Sequence, residues 1–296
     1  MQTAPTKISL ITVAPALFVV MWATGFVAAR LSAGHVAPLW FLAIRFPIAG
    51  LFMLAVALQQ RAPWPDAKHA AHAFLVGVFI HGVYLASIFW AIANGLPAGV
   101  SALIVGLQPL LTAFMAALLL NEKISSKHWV GLVVGLIGVG LVLWPKLSFT
   151  TLGGITPLTS ACAAFGAVAI SFGTVYQKRF ATGLHIASGG FWQYVGASMV
   201  VLVAAFAVEP FMFDGSVQAW SALAWSVLVL SIGAITLLMM LIREGAVSKV
   251  SGLIYLVPAV AALMAYVLFG ETLVPLQILG MGICAAAVLI VNRSAT

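Results

Sequence analysis

His81 and Tyr84 lie three positions apart in an apolar stretch, a spacing that puts both side chains on one face of a helix. There an imidazole is a hydrogen-bonding or protonatable group, and the tyrosine is an aromatic wall with a polar tip. The bland alternative is a neutral histidine bonded to a neighbouring helix. Arg45 sits about six residues into another apolar stretch, roughly 9 Å below its end at helical rise. Its side chain either snorkels to the membrane surface or faces the interior, where its natural partner is a substrate carboxylate. Gln108 precedes Pro109 in one stretch, and Tyr255 stands three before Pro258 in another. Each proline removes a backbone donor and frees a carbonyl one turn earlier, so each helix can kink there and offer a polar group inward. Pro109 and Pro258 are thus either gating elements or static packing kinks. Trp22, Trp192 and Gln193 complete the candidate substrate contacts, with packing as the alternative for the aromatics.

Other chemistries find little support. No Cys/His cluster has metal-ligand spacing, and no Gly-x-x-x-x-Gly-Lys-Ser/Thr loop is present to hold a nucleotide. The six carboxylates are scattered singly, so no catalytic acid/base constellation is assigned, and no metal or cofactor is expected. Cys162 and Cys284 lie inside apolar runs, as small core residues do.

The elements that must position these residues follow from composition. With 64% hydrophobic and 6% charged residues and a mean hydropathy of +1.18, the chain is an integral membrane protein, almost wholly embedded. Its net charge of +7 is spread singly or in pairs between apolar runs, which argues against nucleic acid as a partner. Spans are expected near 10–32, 39–59, 73–94, 98–120, 128–146, 154–176, 188–208, 220–242, 250–269 and 274–292, each long enough to cross roughly 30 Å of hydrocarbon. If the N-terminus is cytoplasmic, Lys7, Arg61, Lys68, Lys123, Lys127, Lys178, Arg179, Arg243, Lys249 and Arg293 all lie inside. Only Arg30 and Lys146 then mark outer ends.

The second half repeats the first at an offset of about 149 residues. Pro109 meets Pro258, Met115 meets Met264, Glu122 meets Glu271 and Gly131 meets Gly280. From Leu107 to Val142, ten positions match their partners, where so apolar a chain gives roughly three by chance. An odd number of helices per repeat inverts the second copy in the membrane, an architecture common to secondary transporters. The fold expected is therefore all-α, with ten transmembrane helices as two inverted five-helix repeats, residues 1–147 and 148–296. Gly131 and Gly135, with Gly138 and Gly140 beyond, suggest close packing against the helix that carries Gly280 and Gly282.

The segment MWATGFVAAR, the arginine of LAIRFPIAG, the proline-containing stretch ending in NEK and the glycine-rich run after it resemble one EamA repeat. Pro258, the GET turn from Gly270 to Thr272 and the last apolar run resemble the end of a second. The whole chain is similar to the EamA family of the drug/metabolite transporter superfamily. That resemblance implies a central cavity, export of amino acids or other small metabolites across a bacterial inner (plasma) membrane, and no enzymatic activity. Protons are the candidate coupling ion, through His81, and exchange or facilitated export needs no titrating group. Both a monomer and a homodimer remain open. The rival classes are a membrane-embedded enzyme and a structural or receptor-like membrane protein.

Overall fold

Continuous apolar runs leave the backbone no water to bond, so they close their hydrogen bonds internally as helices. The computed structural model describes residues 10–32, 34–96, 98–146, 156–244, 250, 252–269 and 272–293, and these are helical almost throughout. The helices are α1 (Leu10–Ser32), α2 (Pro38–Gln59), α3 (Ala67–Ala93), α4 (Val100–Leu119), α5 (Ser126–Leu143), α6 (Pro157–Phe180), α7 (Ile186–Val208), α8 (Val217–Glu244), α9 (Leu256–Phe269) and α10 (Pro275–Arg293). Seven of them, α2 to α8, are long and apolar enough to cross a membrane. Shorter apolar stretches lie at Val13–Gly25, Leu253–Leu268 and Pro275–Val291. Among the described residues the only extended pairing is a bridge between Val36 and Phe213.

Polar side chains mark the helix starts. Asp66 and Ser125 accept from the backbone N–H groups of His69 and His128, Ser216 from that of Ala219, and Thr156 forms a capping box with Thr159. Two helix ends are secured by the basic pair that closes α6. Lys178 Nζ donates to the carbonyls of Ile242 (2.7 Å) and Arg243 (3.0 Å), and Arg179 donates to the carbonyl of Leu119 (2.7 Å). Cations there complement the negative ends of α8 and α4, so residues read as topology signals also cap helices.

Close approach is set by glycine. A Cβ on Gly77 of α3 would lie 1.8 Å from the backbone oxygen of Gln193 on α7, and one on Gly196 would lie 2.2 Å from that of Phe74. On the other flank, Gly138 and Gly280 bring α5 against α10: a Cβ on Gly280 would lie 2.8 Å from the Gly138 oxygen. Small residues let helix backbones touch where lipid supplies no hydrophobic drive.

The loop after α1 is tied to the linker after α7. Asp214 accepts from His35 (2.6 Å), Ala37 N–H donates to Met212, and Glu209 accepts from the free N–H of Leu39 at the start of α2 (2.8 Å). The His35 bond, aided by Ser216, holds the Asp214 carboxyl down to about 2 from its ordinary 3.8. The charged form is thereby favoured in the folded loop, so its stabilising contribution is complete above the ordinary value and is lost as pH falls through about 2. Infrared difference spectra of the wild type against Asp214→Asn should show a carboxylate titrating near 2. A midpoint near 3.8 would mean that the tie does not form.

Candidate functional site

Two helices abandon the α-helical ladder at corresponding places. The turns Val78–Val83 of α3 and Ser226–Ala234 of α8 are π-helical, and their starting positions differ by within one residue of the sequence-repeat offset. Wider turns of this kind rotate side chains out of α-helical register and recur at functional sites. The first carries His81 and the second carries Ser231.

Both belong to one buried polar cluster. Arg45 of α2 is 8% exposed, and its Nε donates to Ser231 Oγ at 2.8 Å. Tyr194 of α7, 1% exposed, donates its hydroxyl to the Ser231 carbonyl. The His81 ring stacks on Tyr194 with centroids 5.2 Å apart and an interplanar angle of 17°, and Phe46 packs beside both rings, 6.1 Å from His81 and 6.0 Å from Tyr194. Gln193 lies beside His81 and directs its amide to Met239 Sδ at 3.7 Å. His81 Nε2 is buried without a hydrogen-bond partner. Of the two readings of Arg45, the interior one fits its burial between helices.

A second group meets at a small cavity. Trp22 of α1 and Gln108 of α4 line a small cavity of about 10 Å³ with Ile170 and Thr174 of α6, Leu238 of α8 and Ile254 before α9. The Gln108 carbonyl accepts from Ser171 Oγ at 3.3 Å. Leu238 and Ser231 are seven residues apart on α8, so the cavity and the arginine cluster are separated by roughly 10 Å along that helix. Helical continuity fails beside both prolines. Gly106 and Leu107 form a turn ahead of Pro109, and Leu253–Tyr255 forms a 3-10 turn ahead of Pro258.

Two sequence expectations are redirected. His81 and Tyr84 do not share a face: Tyr84 packs with Ile80, Ile88, Ala163 and Ile170, away from Tyr194, because the π turn changes the register on which the spacing argument relied. Tyr255 is fully buried against α5, its ring filling the space a Cβ on Gly135 would need (2.3 Å), so it packs the scaffold rather than the cavity. Trp192 is half-buried and meets Phe191 edge to face, at 5.5 Å. Glu271 and the GET turn at Gly270 lie outside the described residues. Tyr194, Ser231 and Thr174 were missed. Tyr194 had a signal, since it is the residue that falls 149 positions after Arg45.

A family model described as the EamA-like transporter family matches residues 9–144 and again 158–293. The chain belongs to the EamA-like transporter family. Relatives in that family include an "uncharacterized inner membrane transporter YedA" of Escherichia coli (strain K12), 26% identical over 92% of this chain and 87% of its own. Another is an "uncharacterized transporter YvbV" of Bacillus subtilis (strain 168), 27% identical over 94% of this chain and 90% of its own. A protein of Streptantibioticus cattleyicolor named a "probable terminal-alkyne amino-acid exporter" is 24% identical over 97% of this chain and 95% of its own. A protein of known crystal structure, 22% identical, superposes with a TM-score of 0.76 over 96% of this chain and 97% of its own, a likeness of fold alone. Like its EamA relatives, the chain is a multi-pass inner membrane protein.

Proposed function

We propose that this EamA protein is a secondary transporter that exports amino acids or related small metabolites by alternating access through the Trp22–Gln108 cavity. The observation that carries the cargo class is Arg45: a cation buried in the membrane interior, with a serine hydroxyl as its bonded partner and no carboxylate on it among the described residues. A buried charge of this kind is costly unless something of opposite sign visits it, and a substrate carboxylate is the partner its fork geometry fits. His81 Nε2, buried and unbonded, is a second group free to meet cargo or a proton.

The architecture in this reading is ten spanning helices as two inverted repeats, 1–147 and 148–296, with both termini cytoplasmic. The sequence repeat, the lopsided basic residues, the paired π turns and the paired discontinuities beside Pro109 and Pro258 support it. The two prolines then mark inverted hinges on opposite sides of the cavity.

Efflux from whole cells, or uptake into inside-out vesicles, of a panel of amino acids and metabolites tests this. Transport of carboxylate-bearing compounds is expected, and His81→Ala should impair it while expression is kept. If only compounds without a carboxylate move, the Arg45 assignment fails and the transporter reading stands. Chemical conversion of a panel compound would indicate an enzyme, and neither transport nor conversion of any compound would count against both.

A further inference from the structure

The arginine cluster is built from two pairs of repeat-related positions. Tyr194 stands at the repeat offset from Arg45, and Ser231 stands within one position of that offset from His81. Each contact joins the two halves of the chain: Arg45 of the first bonds Ser231 of the second, and Tyr194 of the second stacks on His81 of the first. Cargo sites of transporters lie where two such repeats meet.

Two polar groups of this cluster are left without partners. Ser231 Oγ takes the Nε of Arg45 at 2.8 Å, and among the described residues neither Nη makes a hydrogen bond. The end-on pair of the guanidinium, which matches the two oxygens of a carboxylate, is therefore unspent. The histidine is set by its neighbours. Gln193 directs its amide nitrogen to Met239 Sδ at 3.7 Å, which leaves the amide oxygen for its hydrogen bond with the His81 ring. An amide oxygen accepts only from an N–H, and Nε2 has no partner, so that bond falls on Nδ1–H. In a neutral imidazole the other nitrogen then carries the lone pair. His81 Nε2 is thus a buried acceptor with no donor on it. Phe46 stands 5.6 Å from Arg45 Cζ and 6.1 Å from the His81 ring, so both unpartnered groups flank one side chain.

We propose that Arg45 and His81 together read the headgroup of an α-amino acid. The cargo carboxylate lies on the two Nη of Arg45, and its α-ammonium donates to His81 Nε2. Gln193 is the positioning residue that keeps that nitrogen bare. This rests on the transport reading above and narrows it from carboxylate-bearing metabolites to α-amino acids. Each buried group gains the partner it lacks, whereas a compound with a carboxylate and no α-donor leaves Nε2 unpaired.

Uptake into inside-out vesicles of alanine, threonine, leucine and phenylalanine, each beside the α-hydroxy and α-oxo acids with the same side chain, tests the headgroup. A hydroxyl is a neutral donor and an oxo group is no donor, so uptake should fall in the order amino, hydroxy, oxo. The amino acid should exceed the oxo acid by at least about tenfold, as one charge-assisted bond allows. His81→Phe, which keeps a ring against Tyr194 and removes Nε2, should bring that ratio to about one, and Gln193→Met should lower it too. A ratio within one protein does not depend on how much of it folds. Nitrogen NMR of protein labelled at histidine, with the His81 signals identified by their loss in His81→Phe, should show a proton on Nδ1 and none on Nε2. In Gln193→Met the proton should be shared between them. Equal uptake of amino and oxo acids, or a proton on Nε2 in the wild type, overturns the headgroup assignment while the carboxylate reading stands. Transport of no carboxylate of any kind overturns both.

Discussion

Arg45→Met is expected to abolish efflux of carboxylate-bearing cargo, by at least about tenfold, while the purified protein melts at the wild-type temperature or above it. The first half follows from the size of a charge-assisted contact, about 1.5–3 kcal/mol, which converts to roughly ten- to a hundredfold in binding. The second half separates function from structure. A guanidinium that is 8% exposed inside a membrane, bonded through Nε to Ser231 and facing no acid among the described residues, is a load on the fold rather than a brace. A flexible apolar side chain of similar length removes that load and keeps the packing with Phe46 and Tyr194. Efflux and thermal unfolding in detergent measure the two halves separately. Activity and melting temperature falling together would make Arg45 a structural residue. Arg45→Lys should recover part of the transport, since it restores the charge without the fork.

Gly77→Ala should be among the most damaging single methyl additions in the chain. The new Cβ would sit 1.8 Å from the backbone oxygen of Gln193, an atom that cannot rotate aside, so α3 and α7 must separate. Overpacking costs about 1–3 kcal/mol where side chains can yield, and a backbone clash belongs at or beyond the upper end. Separation would also disturb the stacking of His81 on Tyr194, because those two rings project from the same pair of helices. Gly140→Ala is the matched control, with nothing within 4 Å of its Cβ position, and is expected to leave stability unchanged. Thermal unfolding of the two variants side by side decides the point. A Gly77→Ala protein as stable as Gly140→Ala would show that the seam is looser than the structure has it.

The consequences of the glycine seams were only half legible in the sequence. Gly131, Gly138 and Gly280 could be read as a packing motif because they recur at helical spacing and across the repeat. Gly77 has no glycine at helical spacing, and neither it nor Gly196 meets a glycine across the repeat, so their importance appears only when two helices far apart in sequence are laid together. The same holds for the site. Arg45, His81 and Gln193 were visible as polar residues in apolar runs, where their cost makes them conspicuous. Tyr194 and Ser231, which hold Arg45 and His81 in place, looked like ordinary residues of their helices.

Periodicity also misled at two places, for physical reasons. The spacing of His81 and Tyr84 implies a shared face only while the helix keeps its α-helical register, and α3 leaves it from Val78 to Val83. Tyr255 stands near a proline, as Gln108 does, yet its ring turns toward Gly135, where the missing side chain leaves room for it. Neither outcome depends on the residue's own chemistry.

Membrane residence, helical class, family and the candidate polar residues were therefore determined by the sequence alone. Each depends on quantities local to the chain: apolar run length, scarce polar residues within those runs, and a repeat that can be laid over itself. Tertiary structure alone decided which polar residues meet. Arg45, His81 and Gln193 gathered around Tyr194 and Ser231, Trp22 and Gln108 closed on a separate small cavity, and Tyr84 and Tyr255 packed elsewhere. Those meetings are set by backbone contact at glycine and by the turn of two π segments, both of which arise between helices or across many residues. No single stretch of sequence contains them.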